Sequence, residues 1–78
     1  MKGANMTAIG TAVKILIRAG AVPKGQAYTA TKYVGTIEPG RVGLYQGLMA
    51  GELGQEGWHI VALGAWDIPL HESHFEAL

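Results

Sequence analysis

Short segments that alternate between two faces, each closed by glycine or proline, constrain this chain more than any other feature. Val13, Ile15 and Ile17 alternate with Lys14, Leu16 and Arg18. The turn-forming run Ala21-Val22-Pro23-Lys24-Gly25 follows, then a Tyr/Thr-rich segment from Gln26 to Val34. After Gly57 come Trp58-His59-Ile60-Val61-Ala62-Leu63, then Ile68-Pro69 and a closing Phe75-Glu76-Ala77-Leu78. A period of two punctuated by Gly and Pro reads as short antiparallel strands. With only 78 residues to share one core, such strands predict a small closed barrel.

Boundaries follow from the punctuation. Residues 1–10 read as a loose lead-in and 11–78 as the single domain. Thr11–Arg18 is the first predicted strand and Gly20–Gly25 a loop, since Pro23 argues against a central strand. Gln26–Val34 is the second strand, with Tyr28 and Ala30 directed inward, and Gly35–Gly40 is a turn. Arg41–Gly57 is open to two readings. Gly43, Gly47 and Gly51 recur every fourth residue, as a helical stripe would, but each interior glycine costs a helix about 1 kcal/mol. A strand to about Met49 and a Gly-rich loop to Gly57 is the preferred reading. Trp58–Leu63 is the clearest strand. Trp66–Leu70 reads as an edge strand that tolerates Pro69, His71–Ser73 as a single helical or 3₁₀ turn, and Phe75–Leu78 as the last strand.

Both faces of Trp58–Leu63 are apolar. If Trp58, Ile60 and Ala62 face the core, Val61 and Leu63 need a second cover, and a partner subunit would supply it. Composition points the same way. No cysteine is present to staple the fold, and only 15% of residues are charged against 49% apolar, which is lean cover for a monomer. The formal net charge is zero, so self-repulsion does not oppose association. A homo-oligomer with Val61 and Leu63 at its interface is therefore expected. All six basic residues lie at or before Arg41, and only Glu38 of the acids precedes it. Barrel closure interleaves such halves and mixes the charges. No apolar run is long enough to span a bilayer, and no secretory signal stands out. A cytoplasmic protein without a membrane partner is the resulting expectation.

The opening strand, the Lys24-Gly25 turn, the Gly57-Trp58 strand and the Ile68-Pro69…Phe75-Leu78 ending together resemble small SH3-like β-barrels. Proteins of that kind occur in phages, plasmids and integron gene cassettes. The resemblance implies a mostly β, five-stranded SH3-like barrel with one short helix or 3₁₀ turn. Plasmid-borne type II dihydrofolate reductases are SH3-like barrels of similar size whose site needs Val-Gln-Ile-Tyr before a proline. Here Ala65, Trp66, Asp67 and Ile68 precede Pro69, so that chemistry is not carried over.

Candidate chemistry is sparse. Tyr28, Tyr33, Tyr45, Trp58 and Trp66 are the candidate surface for an extended peptide or a small molecule. Glu52 and Glu56 would serve as the acidic side of such a groove. His71 and His74, three apart, are a minimal metal pair that Asp67 or Glu76 would have to complete. Ser73, His71 and Asp67 lack a nucleophile elbow. Lys14, Arg18, Lys24 and Lys32 with nearby tyrosines suit a single nucleic-acid strand, but a neutral domain lacks the basic footprint. No phosphate-binding or dinucleotide fingerprint is present and no cofactor is expected. The sequence thus reads as a non-enzymatic interaction module. A small-molecule or nucleic-acid binding accessory protein and a metal-assisted enzyme are the alternatives.

Overall fold

A computed structural model describes residues 7–28 and 32–78. It is mostly β. Its strands are β1 (Ala12–Ile15), β2 (Ala19–Pro23), β3 (Gly35–Ile37), β4 (Val42–Leu48), β5 (Trp58–Leu63), β6 (Trp66–His71) and β7 (Phe75–Ala77). A short helix α1 (Gly51–Gln55) precedes β5, and a 3₁₀ turn (Glu72–His74) precedes β7. The strands form one curled antiparallel sheet, a half-barrel, in the order β3-β2-β6-β5-β4-β1-β7.

Seven strands stand where five were expected, because two long arms are each broken by a bend. Lys14 faces Val42 in the β1–β4 ladder and Ala19 faces Ile37 in the β2–β3 ladder. Five steps forward on one arm match five steps back on the other. The two ladders are therefore one hairpin in one register, kinked at residues 16–18 and 38–41. Ile15 and Arg41 hold the kink, through the bonds Ile15 N–H to Arg41 O at 2.8 Å and Gly40 N–H to Ile15 O at 2.7 Å. Beyond the kink β2 turns to β6, so the first arm touches both ends of the β4-β5-β6 meander.

Several boundaries change as a result. The predicted strand Thr11–Arg18 ends at Ile15, and the predicted loop 20–25 is mostly β2. Pro23 closes β2, where its missing N–H costs no ladder bond. The predicted second strand, Gln26–Val34, is turn and loop in its described residues; Thr29, Ala30 and Thr31 lie outside them. Tyr/Thr content marks a residue's fitness for a pleated, half-buried surface, and none of the described residues of this segment joins a strand ladder. Tyr28 is exposed rather than inward. Of the expected lead-in, Gly10 donates its N–H to Tyr45 O at 2.7 Å, which ties residues 7–10 to β4.

The glycine series is not a helical stripe. Gly43 is a buried β4 position whose Cβ would meet the Ala62 carbonyl oxygen and Val61 Cγ1, each at 2.6 Å. Gly47 carries φ 111° at a β-bulge: Tyr45 pairs with Val61 and Gly47 with Ile60, leaving Gln46 as the extra residue. β6 is an inner strand and not the predicted edge. Its Pro69 is tolerated because β2 pairs only with Asp67 and Trp66, so no strand needs the missing N–H.

The core cluster takes Val13 and Ile15, Ala19 and Ala21, Ile37, Tyr45, Val61, Ile68, Leu70 and Phe75. This inverts the predicted faces of β5. Val61, fully buried, sits opposite Tyr45 on β4 and Ile68 on β6, both core residues. Trp58 and Ile60 are half-buried on the outer side. Leu63 packs against the core cluster. Val61 therefore belongs to the chain's own core and not to the outward face expected for it, while Leu63 is half-buried against that core. Among the described residues no helix is long and apolar enough to cross a membrane.

Candidate functional site

The outer face of β2, β6 and β5 is partly roofed by two loops, and a pocket lies between them. The first loop, described at residues 24–28 and 32–34, is the tip of the kinked hairpin. It is pinned at its base by Lys24 N–H to Ala65 O at 2.9 Å and by Gly25 N–H to the Asp67 carboxylate at 2.9 Å. Val34 N–H donates to Ala21 O at 3.0 Å on the returning side. The second loop carries α1 and is closed at its base by Met49 N–H to Trp58 O at 2.9 Å. The two loops meet where Ala50 N–H donates to the Tyr28 hydroxyl at 2.5 Å.

Beneath this clasp is a cavity of about 330 Å³. Val22, Trp58 and Pro69, from three adjacent strands, line it from the sheet. Ala27, Lys32 and Tyr33 line it from the first loop, Met49 and Leu53 from the second. Outward-facing Val22 is nearly fully buried because the loops cover it. The Tyr33 ring fills the space a Cβ on Gly20 would occupy, so Gly20 lets the ring lie flat against β2. Among the described residues Lys32 is the one charged residue in the lining.

Of the predicted aromatic surface, the fold brings Tyr33 and Trp58 into this pocket and places Tyr28 at its clasp. Tyr45 and Trp66 are elsewhere. Tyr45 is a core residue, 5% exposed, whose hydroxyl lies 2.7 Å from His59 Nδ1. Trp66 lies against Gly35, where a Cβ would meet its ring at 2.9 Å, and packs on the core from the other side. Sequence reasoning missed Val22, Ala27, Met49, Leu53 and Pro69. Met49 and Leu53 left one trace: isolated large apolar residues within a glycine-rich stretch, where a free loop has no use for them.

His71 and His74 do approach each other, with ring centroids 5.9 Å apart, and both stand edge-on to Trp58 at 5.6 and 6.3 Å. His71 Nε2 donates to the Glu56 carbonyl at 2.9 Å, which commits that nitrogen. Among the described residues no group of three possible ligands surrounds a metal position. Ser73 Oγ is 3.4 Å from His71 Nδ1, and the Asp67 carboxylate is engaged with Gly25, so the three do not form a relay.

Buried His59 is a second residue of note. Tyr45 partners its Nδ1, the Phe75 ring stands edge-on at 5.3 Å, and its Nε2 has no partner in either tautomer. Burial pushes its pKa below the ordinary value; Glu72 opposes the shift and His71 adds to it.

The predicted basic set does not converge. Lys14 lies cross-strand from Glu76, and Arg18 pairs with Glu38 at 3.3 Å. Lys24 and Lys32 sit on the hairpin-tip loop. Of the two pairings, only Lys14 with Glu76 brings the basic and acidic halves of the sequence together, since Glu38 lies in the basic half.

A scan against protein families, a search of curated proteins and a search of solved structures find nothing that matches this chain.

Proposed function

We propose that this chain is a non-enzymatic binding module built on an SH3-like barrel, and that the pocket beneath the Tyr28–Ala50 clasp receives an apolar group of its partner. The barrel reading draws on the shared register of the kinked arms. Taken as continuous, the arms reduce seven strands to five, with a 3₁₀ turn before the last. The observation that carries the function is the pocket itself. Binding sites are concave and mostly apolar, with a few placed polar groups, and here Trp58, Tyr33, Met49 and Pro69 supply such a surface around one charge. The unassembled Ser73, His71 and Asp67 favour binding over catalysis.

The test is an NMR titration with the neutral probe 3-phenylpropionamide. The Trp58 indole N–H signal should shift while that of Trp66, outside the pocket, stays still. Ala27→Trp, which fills the pocket from its rim, should abolish the response. Absence of any Trp58 response to apolar probes would sink the proposal.

Self-association is a second reading, now resting on a different surface. Val42, Leu44 and Leu48 on β4 are 47%, 50% and 60% exposed, an apolar stripe that a second copy would cover.

A further inference from the structure

Resting on the pocket as the binding site, we propose that its ligand is a small carboxylic acid with an aromatic or branched aliphatic body, its carboxylate held by Lys32. The cavity, about 330 Å³, is at the small end of ligand sites and suits one ring with a short chain. The side chains of Val22, Met49, Leu53 and Pro69 are carbon and sulfur only. Among the described lining residues three side chains carry polar groups: the Lys32 ammonium, the Trp58 indole N–H and the Tyr33 hydroxyl. The first two only donate, and the third donates or accepts. Among the described residues no Asp or Glu lines the cavity, and no carboxylate pairs with Lys32. Arg18, by contrast, pairs with Glu38 at 3.3 Å, and Lys14 lies cross-strand from Glu76.

A donor-rich lining with one positive charge selects an acceptor with one negative charge. A carboxylate meets that condition with two oxygens, for the ammonium and a neutral donor. A phosphate dianion carries a second charge that one exposed lysine leaves unmatched, beside an apolar wall that cannot replace its water. A cationic ligand meets like charge at Lys32.

The experiment titrates the full chain with 3-phenylpropionate and with its neutral counterpart 3-phenylpropionamide, following the Trp58 indole signal. The acid should bind about threefold tighter, the contribution of an exposed charge pair, and added salt should erase the gap. Lys32→Met should close the gap between the acid and the amide. Lys32 is exposed, so the variant should keep the wild-type melting temperature. Equal binding of acid and amide to the wild type would overturn the carboxylate inference and leave the pocket standing. Silence of Trp58 with both probes would overturn the pocket reading as well. A peptide ending in phenylalanine that binds tighter than the free acid, and loses this on C-terminal amidation, would overturn the small-molecule ligand in favour of a chain terminus.

Discussion

His59 shows how one buried side chain makes a small core depend on pH. The imidazole is 1% exposed, and its one polar partner is the Tyr45 hydroxyl. Burial disfavours the imidazolium, so the folded-state pKa lies below the ordinary 6.5. The unfolded chain then binds a proton that the folded chain refuses, and stability rises with pH across that interval. We expect the denaturation midpoint to be flat above about pH 7 and to fall as the pH drops through 6.5 toward the lower folded-state value. His59→Phe should flatten this dependence; a slope unchanged in that variant would show that His59 is not its source. Tyr45→Phe leaves Nδ1 buried without a partner and should cost about 1–3 kcal/mol. Adding His59→Phe to it should recover part of that loss, because removing both partners leaves no orphan. Additive losses in the double variant would show that packing, and not the hydrogen bond, dominates.

Strand register is set by close contacts that a single methyl group would break. Gly43 is the sharpest case. Its missing Cβ makes room for the Ala62 carbonyl and Val61 on the neighbouring strand. A backbone carbonyl held in a ladder cannot step aside, so Gly43→Ala should destabilise the protein by about 1–3 kcal/mol, the usual cost of overpacking. Chemical denaturation checks this. Gly20→Ala is the contrasting case. Its new methyl meets the ring of Tyr33, which is 56% exposed and free to swing outward. Stability should change little, while the pocket loses the wall that Tyr33 forms and the Trp58 response to 3-phenylpropionamide weakens. A large fall in melting temperature for Gly20→Ala, with none for Gly43→Ala, would contradict both assignments.

Self-association is a property of the whole molecule, and the fold moves it to a new surface. Val61 is fully buried, so Val61→Asp places an unpaired charge in the core. The lower end of usual domain stability is about 5 kcal/mol, and a loss of that size unfolds the chain. Circular dichroism should show loss of strand signal for Val61→Asp at any concentration. Leu44→Glu falls on the exposed stripe and should leave the fold intact. If β4 is the contact, sedimentation at micromolar concentration should give more than one chain for wild type and a single chain for Leu44→Glu. A wild type of one chain's mass would end the self-association reading. An oligomer indifferent to Leu44→Glu would move the contact off β4.

What the chain's sequence determines by itself is local. Trp58–Leu63 stands at its predicted bounds, Gly64-Ala65 turns the chain, and a 3₁₀ turn and a short strand close it, because turn residues and period-two alternation act over a few positions. The mostly antiparallel β class follows from the same signals. The choice between two apolar faces is not local. Trp58, Ile60 and Ala62 are as hydrophobic as Val61 and Leu63, and only the pairing of Val61 with Tyr45 and Ile68 sends it inward. The kinked arms were hidden for a related reason: a bend at Leu16–Arg18 interrupts the pairing without changing its register, and register belongs to two strands together. The pocket lay furthest from view. Val22, Tyr33, Met49, Trp58 and Pro69 come from five separate segments, and what joins them is the curl of the sheet and the meeting of two loops at Tyr28 and Ala50. No short-range pattern encodes a surface that exists only after the strands have paired.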